Sequence, residues 1–524
     1  MNVNPTQETI ELVSQAQKTP IPDDVVRAFT QPATATSGLI AYDLEAPSKK
    51  LYPILTPLRN RIARRADGYG IQSNWRAVTG INTAMLQIGV PEGQRGGVMA
   101  QATADYLAKF VSLGLENYLT FEADYASKNF EDLKALAVTQ LLQATMIQEE
   151  FLDLGGNGTL GINGGSATPT PTVSDVTTGG TLAAATPYYV GCVALSLAGY
   201  QQIAAVNNGQ VGQAISFANY TTGGNFLTSQ YSITGADGQA IAFGGGVGRP
   251  SAIGTATTAS DGNATHKIAA TVAPVVGAVA YAWFFGAANA AASLYLTAVT
   301  TINSAVFSAA ADSTAQPFSA ITASDNSKNA YVYDGMLSQI MKTGSGAYFA
   351  DLATGTPGTG TKLTSNGAGG IAEIDTAFAS FWNNYRLSPD EIFVNAQQLI
   401  DMNTIIIANG GAPLYRFTMD ANNLGTIEAG VVVGSILNVI TNKHVKVTVH
   451  PNMPSGTIMF WSNSIPYPLN DVGSIVLKHL RRDYYQIEWP IKTRKYEYGV
   501  YFDGVLKNYF PPAFGIIRNI APGH

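Results

Sequence analysis

From Thr168 to Ala320 the chain runs for 153 residues with six charged side chains: Asp175, Asp237, Asp261, Asp312, Arg249 and Lys267. A segment this poor in charge must bury much of its surface or cover it with uncharged polar groups. Short alternating apolar runs recur in it: "PYYVGCVALSL", "QAISFANY", "AVAYAWFFG" and "SLYLTAVTT". Period-two runs separated by turn residues are a strand pattern. The segment reads as an all-β sandwich inserted as a unit, with Pro169, Pro171 and Pro317 near its boundaries. Residues Ile268 to Ala311 carry no charge at all. Their length would allow a membrane span, but Pro274, the Ala/Gly content and the missing basic flank favour buried strands. Cys192 is the only cysteine. It reads as a small core residue and leaves no intrachain disulfide framework.

The rest of the chain is mixed. "NFEDLKALAVTQLLQATMIQEEFLDL", Asn129 to Leu154, predicts one long helix with Asn129 as N-cap. Phe130, Leu133, Ala137, Leu141, Ala144, Ile147 and Phe151 would form its apolar face, and Gly155 and Gly156 would end it. "GIAEIDTAFASFWNNYRL" predicts a helix with Ile374, Phe378, Phe381 and Trp382 inward, and "SPDEIFVNAQQLIDMNTIII" a strand, a turn and a helix. "HVKVTVHPN", "GTIMFW" and the tail from Val472 read as strands. Residues 1–57 look like a Pro-punctuated arm, without the basic start and apolar run of a signal peptide. The fold class is α+β with an all-β insertion.

Catalytic and cofactor chemistry finds little support. Gly156–Gly161 is a literal G-x-G-x-x-G, but a helix precedes it where the dinucleotide motif needs a strand. It reads as a helix stop and a hinge into the insert. His444 and His450 would share a strand face about 20 Å apart, too far for one metal. Asp390 and Glu391 read as helix N-capping groups. No enzyme activity, cofactor or metal is expected.

Basic residues gather instead. From Lys49 to Lys109 nine basic residues stand against three acidic ones, a net of +6 in a chain whose formal charge is -6. Five arginines fall within "LRNRIARRADGYGIQSNWRAVTG": Arg59, Arg61, Arg64, Arg65 and Arg76. A second group holds Lys478, Arg481, Arg482, Lys492, Arg494 and Lys495. Arginine suits fixed contacts with carboxylates or phosphates. A nucleic-acid site, a phosphate site and a subunit contact all fit this pattern.

The longer stretch "KKLYPILTPLRNRIARRADGYGIQSNWRAVTGIN" resembles the start of the major capsid proteins of tailed bacteriophages, which have the Hong Kong 97-like fold. The resemblance covers roughly residues 40–165 and 325–524. The segment 168–320 would be an immunoglobulin-like or fibronectin-like insertion. The resemblance implies an N-terminal arm (1–57), an extended loop lying on a neighbour (58–105) and a peripheral domain (106–167) with spine helix 129–154. An outward-projecting insert (168–320), an axial domain (321–471) and return strands of the peripheral domain (472–524) would follow. Arg59, Arg61, Arg64, Arg65, Trp75, Arg76, Glu92 and Arg95 would then make inter-subunit contacts. The arginines would clasp a neighbour's carboxylates. Gly68, Gly70, Gly80, Gly155 and Gly156 would be hinges. Arg481, Arg482, Lys492, Arg494 and Lys495 form the second basic group.

The implied function is self-assembly into hexamers and pentamers of an icosahedral head around double-stranded DNA. Assembly would take place in the host bacterial cytoplasm. DNA contact would be non-specific, partners would include a portal, scaffolding or decoration protein, and no membrane would be involved. An encapsulin-like nanocompartment shell and an Ig-like surface adhesin are the alternatives. In some relatives a lysine on the extended loop forms an isopeptide bond to a neighbour. Residues 51–108 contain no lysine, so that bond is not expected. The arm begins so early that no room is expected for a cleaved scaffold segment.

Overall fold

The computed structural model describes residues 55–81, 89–98, 100–128, 131–204, 227–235, 237–408, 415–419, 425–429, 433–468 and 470–523. The predicted arm (up to residue 54), the proposed N-cap Asn129 with Phe130, and the runs Gln213–Tyr220 and Ala84–Ile88 lie outside them.

The first layer is a four-stranded sheet in the order Ala63–Arg65, Val476–Glu488, Lys495–Asn508, Val111–Thr120. The tail thus returns to complete a sheet begun near residue 63. A helix, Leu133–Gly155, lies across it and buries Leu141 against Tyr498 and Val500. Its N-cap is Asp132, whose side chain accepts a hydrogen bond from the Ala135 amide at 3.0 Å. The cap is thus three residues later than the predicted Asn129. Its C-terminal half buries Glu149, Glu150 and Asp153 beside Leu152 and Leu154, so the simple apolar face fails there.

A long two-stranded ribbon, Gln72–Ile81 with Gln101–Lys109, leaves this layer. The extended element therefore begins at Gln72 rather than residue 58, because Leu58 and Ile62 are buried in the main core. A second layer is a six-stranded mixed sheet: Tyr348–Asp351, Gly515–Arg518, Ile458–Trp461, Glu391–Val394, Lys443–Val449, Ser435–Asn438. Helix Ala372–Tyr385 covers it, with Phe378 and Phe381 packed edge-on against Phe460. Trp382, expected inward, is 37% exposed under the Arg386 guanidinium. Asp390 sits just before a strand and Glu391 begins it, so neither caps a helix. Asp390 accepts from Lys443 and from the Asn463 amide, and Glu391 opens a buried strand.

The charge-poor segment folds as two facing sheets. One has the order Ser304–Phe307, Lys267–Thr271, Thr172–Val176, and the other Tyr295–Thr300, Ala280–Gly286, Pro187–Leu195, Gly254–Thr257. Cys192, Ile268, Trp283, Phe285 and Phe307 fill the space between them. The other face of the larger sheet is buried too, under Phe318 and Ile321, so Ala280–Gly286 has no exposed residue. This explains a strand without charge. No helix among the described residues is long and apolar enough to cross a membrane.

The insert does not hang on a hinge. Arg518 reaches from the six-stranded sheet, pairs with Asp351 through two bonds of 2.9 Å, and donates to the carbonyls of Val275 and Ala278. Asn519 accepts from the Asn303 amide at 2.8 Å and donates to the Leu352 carbonyl at 2.7 Å. Its backbone is left-handed, φ 62°, which Asn tolerates better than most residues. Asn519→Ala loses both bonds, and a fall in stability of about 1–3 kcal/mol is expected in denaturant unfolding.

His266 is buried between two carboxylates: Nδ1 is 3.0 Å from Asp175 and Nε2 is 2.9 Å from Asp261. The hydrogen bond to Asp261, helped by Asp175 and opposed by burial, raises its pKa. A raised folded pKa means full stabilisation below the unfolded value of about 6.5, lost as pH rises through the folded value. The thermal-midpoint advantage of the parent over His266→Gln is therefore expected to be largest near about pH 6 and to shrink toward about pH 8. A gap that widens with pH would contradict the pairing.

Candidate functional site

The segment Thr56–Ile62 forms a tight turn, with the amides of Asn60 and Ile62 bonded to the carbonyls of Thr56 and Leu58. It plugs Leu58 and Ile62 into the core beside the end of the long helix. There Glu150 accepts the backbone amides of Leu58 at 2.9 Å and Arg59 at 2.6 Å. His450 Nε2 lies 2.6 Å from the same carboxylate, and its Nδ1 accepts from the Asn452 amide.

Glu149 receives two arginines. Arg59 Nε binds it at 2.8 Å and Arg64 Nη1 at 2.6 Å, while Arg64 Nη2 reaches Asp483 at 2.6 Å. Tyr484 donates its hydroxyl to Glu149, and both guanidiniums lie over its ring, at 5.3 and 5.1 Å. Lys478 and Asp153, both buried, pair behind them. Burial alone would push Glu149 up. Lys478 and Arg64, with Tyr484 and Arg59, outweigh it and hold this carboxyl below its usual range. Burial raises Asp153 to about 6, with Lys478 opposing.

The structure thus gives the arginines partners in their own chain. Arg61 pairs with Glu391 at 3.0 Å and so ties the turn to the six-stranded sheet. Arg65 pairs with Asp67 at 2.6 Å, and Arg76 with Asp105 across the ribbon at 2.5 Å. Arg59 and Arg64 are 14% and 22% exposed, Arg65 and Arg76 63% and 69%. The sequence reading had all five clasp a neighbour; here Arg59 and Arg64, the least exposed of them, are held by the carboxylate of Glu149 at the helix end. Glu92 and Arg95 lie exposed in the loop joining the ribbon strands.

Trp75 stacks on Tyr106 at 5.6 Å and meets Tyr509 edge-on. Its face of the ribbon turns toward the body, and the opposite face carries Asn74, Arg76, Val78, Asp105 and Leu107. Gly70 alone of the predicted hinges has a left-handed backbone, φ 74°. Gly68, Gly155 and Gly156 are close approaches instead of hinges. A Cβ would stand 2.7 Å from the Leu480 carbonyl oxygen, 2.1 Å from Leu197 Cδ2 and 2.5 Å from the Tyr333 carbonyl oxygen, respectively. Gly80 lies in a ribbon strand beside a register shift. The glycine motif after the helix is already filled: the amides of Gly158 and Thr159 both bind Asp334 at 2.8 Å.

The second basic group is dispersed. Arg481 binds Asp503 at 2.7 Å, Arg494 binds Glu122 at 2.6 Å, and Lys495 binds Glu497 at 2.6 Å. Arg482 sits over Tyr485, and Lys492 is exposed on the turn between the return strands.

Sequence reasoning missed Glu149, Glu150, Asp153, Tyr484 and His450. A signal existed. Three acids crowd the last two turns of the helix in "QEEFLDLGG", where the dipole disfavours negative charge. Such a helix end needs cations from elsewhere.

No protein-family model matches the chain, and no curated protein matches it. Among solved structures, the capsid of the Myoviridae phage XM1 is similar at 9% identity, covering 92% of this chain and 99% of that one, with a TM-score of 0.38. The capsid of a native GTA particle is similar at 8% identity, covering 94% and 100%, with a TM-score of 0.39. The SrpI encapsulin of Synechococcus elongatus PCC 7942 is similar at 12% identity over 36% of this chain and 57% of that one, with a TM-score of 0.22. Values this low do not assign the chain to a family.

Proposed function

We propose that this chain is the major capsid protein of a tailed bacteriophage. In this reading it has the Hong Kong 97-like fold and a structural rather than catalytic role. Copies assemble as hexamers and pentamers into the icosahedral head that encloses double-stranded DNA. The observation that carries the proposal is the ribbon Gln72–Lys109. A two-stranded ribbon is at best marginally stable in water by itself. This one leaves Val78 and Leu107 on its outer face 63% and 64% exposed. Next to it Ile71 is 80% exposed. Such a surface fits burial against another copy. The phage-capsid resemblance of the stretch Lys49–Asn82 gives the same reading, with the ribbon as the extended loop.

The two-sheet insert is read as the immunoglobulin-like module of such a protein, seated on the shell domain by Arg518 and Asn519. Negative-stain microscopy of the expressed chain tests the proposal. Closed polyhedral particles or ring-shaped capsomers are expected, and a monomer at every concentration would refute it.

A further inference from the structure

Lys478 and Asp153 touch in a site closed to solvent, their side chains 1% and 0% exposed. Glu149 Oε1 stands 3.6 Å from the same Lys478 Nζ. The walls are aromatic: Nζ lies 4.2 Å from the centre of the Tyr333 ring and 5.6 Å from that of Phe502. The Tyr333 hydroxyl donates to Asp153 Oδ1 at 2.7 Å and accepts from Lys478 Nζ at 2.7 Å. The other oxygen, Asp153 Oδ2, is buried with no hydrogen-bond partner. A charged oxygen in that position is costly. We infer that Lys478 and Asp153 become joined by an intrachain amide bond, which the folded chain forms itself with Glu149 as proton carrier.

The reaction balances within the site. A proton passes from the Lys478 ammonium to the Asp153 carboxylate, giving a neutral amine and a carboxylic acid. Nζ attacks Cγ, and Oδ1 takes the negative charge under the Tyr333 hydroxyl. Glu149 accepts a proton from Nζ and delivers it to Oδ2. The Cγ–Oδ2 bond breaks, water leaves, and the Cγ–Oδ1 carbonyl re-forms. One amine and one acid yield one amide and one water, and no oxidant is needed.

Two features support this beyond contact. The two carboxyls are pushed apart in acidity, Asp153 up to about 6 by burial and Glu149 below its usual range, which suits one to the acid form and the other to the base. The product keeps the oxygen that Tyr333 binds and removes the one without a partner. The bond differs from the inter-subunit link whose loop lysine this chain lacks: both partners lie in one chain. It does not depend on the shell reading.

Intact-mass spectrometry of the purified, denatured full chain tests it. The parent is expected to be lighter than its sequence mass by one water. Proteolysis should yield a branched peptide joining the segments that hold Asp153 and Lys478. Lys478→Arg should restore the full sequence mass, and Asp153→Asn should lose ammonia in place of water. An unmodified parent mass, or a water loss mapped to other residues, would overturn the inference. The parent measurement decides even if a variant fails to fold.

Discussion

Glu149→Ala is expected to cost about 3–5 kcal/mol of stability, because removing one partner of a buried ion pair strands the others. Arg59 and Arg64 would lose the carboxylate they share, and Tyr484 its acceptor. Equilibrium unfolding in denaturant reads the loss directly. Arg64→Ala should also destabilise the chain, by less, since Glu149 keeps Arg59 and Tyr484. Arg65→Ala should leave the midpoint unchanged, because its pair with Asp67 is exposed. The sequence put Arg64 and Arg65 together among the inter-subunit contacts, whereas the structure separates them: Arg64 is 22% exposed on Glu149 and Arg65 is 63% exposed on Asp67. Equal effects of Arg64→Ala and Arg65→Ala would show that the buried knot carries no special weight.

The second large effect falls on assembly. Val78→Glu with Leu107→Glu places two carboxylates on the outer ribbon face, one on each side of the Arg76–Asp105 pair. Burying unpaired charge against another copy is prohibitive on the scale of interface energies. Particles or capsomers should disappear from sedimentation profiles, while the thermal midpoint of the released chain stays near that of the parent. Normal particle yield from this double variant would remove the ribbon from the interface.

Much of the architecture was legible because it rests on local periodicity. The strands around Trp283, the helix at Ile374–Phe381 and the strand-rich tail follow from alternation and helical spacing. The knot was not legible, because its members lie up to 425 residues apart, as Arg59 and Tyr484 do. Arginine side chains advertise a contact without naming the partner. Here the decisive fact was a helix end with acids but no nearby cation, a local irregularity with a long-range answer. Trp382 shows the opposite failure: helical spacing placed it inward, but the sheet beneath leaves that edge of the helix uncovered. Glycine misled similarly. Three of the five supposed hinges are glycine because another backbone or side chain comes too near for a Cβ.

The inward charge pairing also limits what the basic stretch offers to any polyanion. Guanidiniums already saturated by Glu149, Asp483 and Glu391 present little net field to a phosphate backbone.

The strand Gly515–Arg518 lies inside the six-stranded sheet, between Ile458–Trp461 and Tyr348–Asp351, and its last residue fastens the insert. During synthesis this strand leaves the ribosome after every other described strand. The sheet cannot close, and the insert cannot be seated, until translation has passed residue 518. A prematurely terminated chain would lack both closures at once, the completed sheet and the fastening of the insert by Arg518.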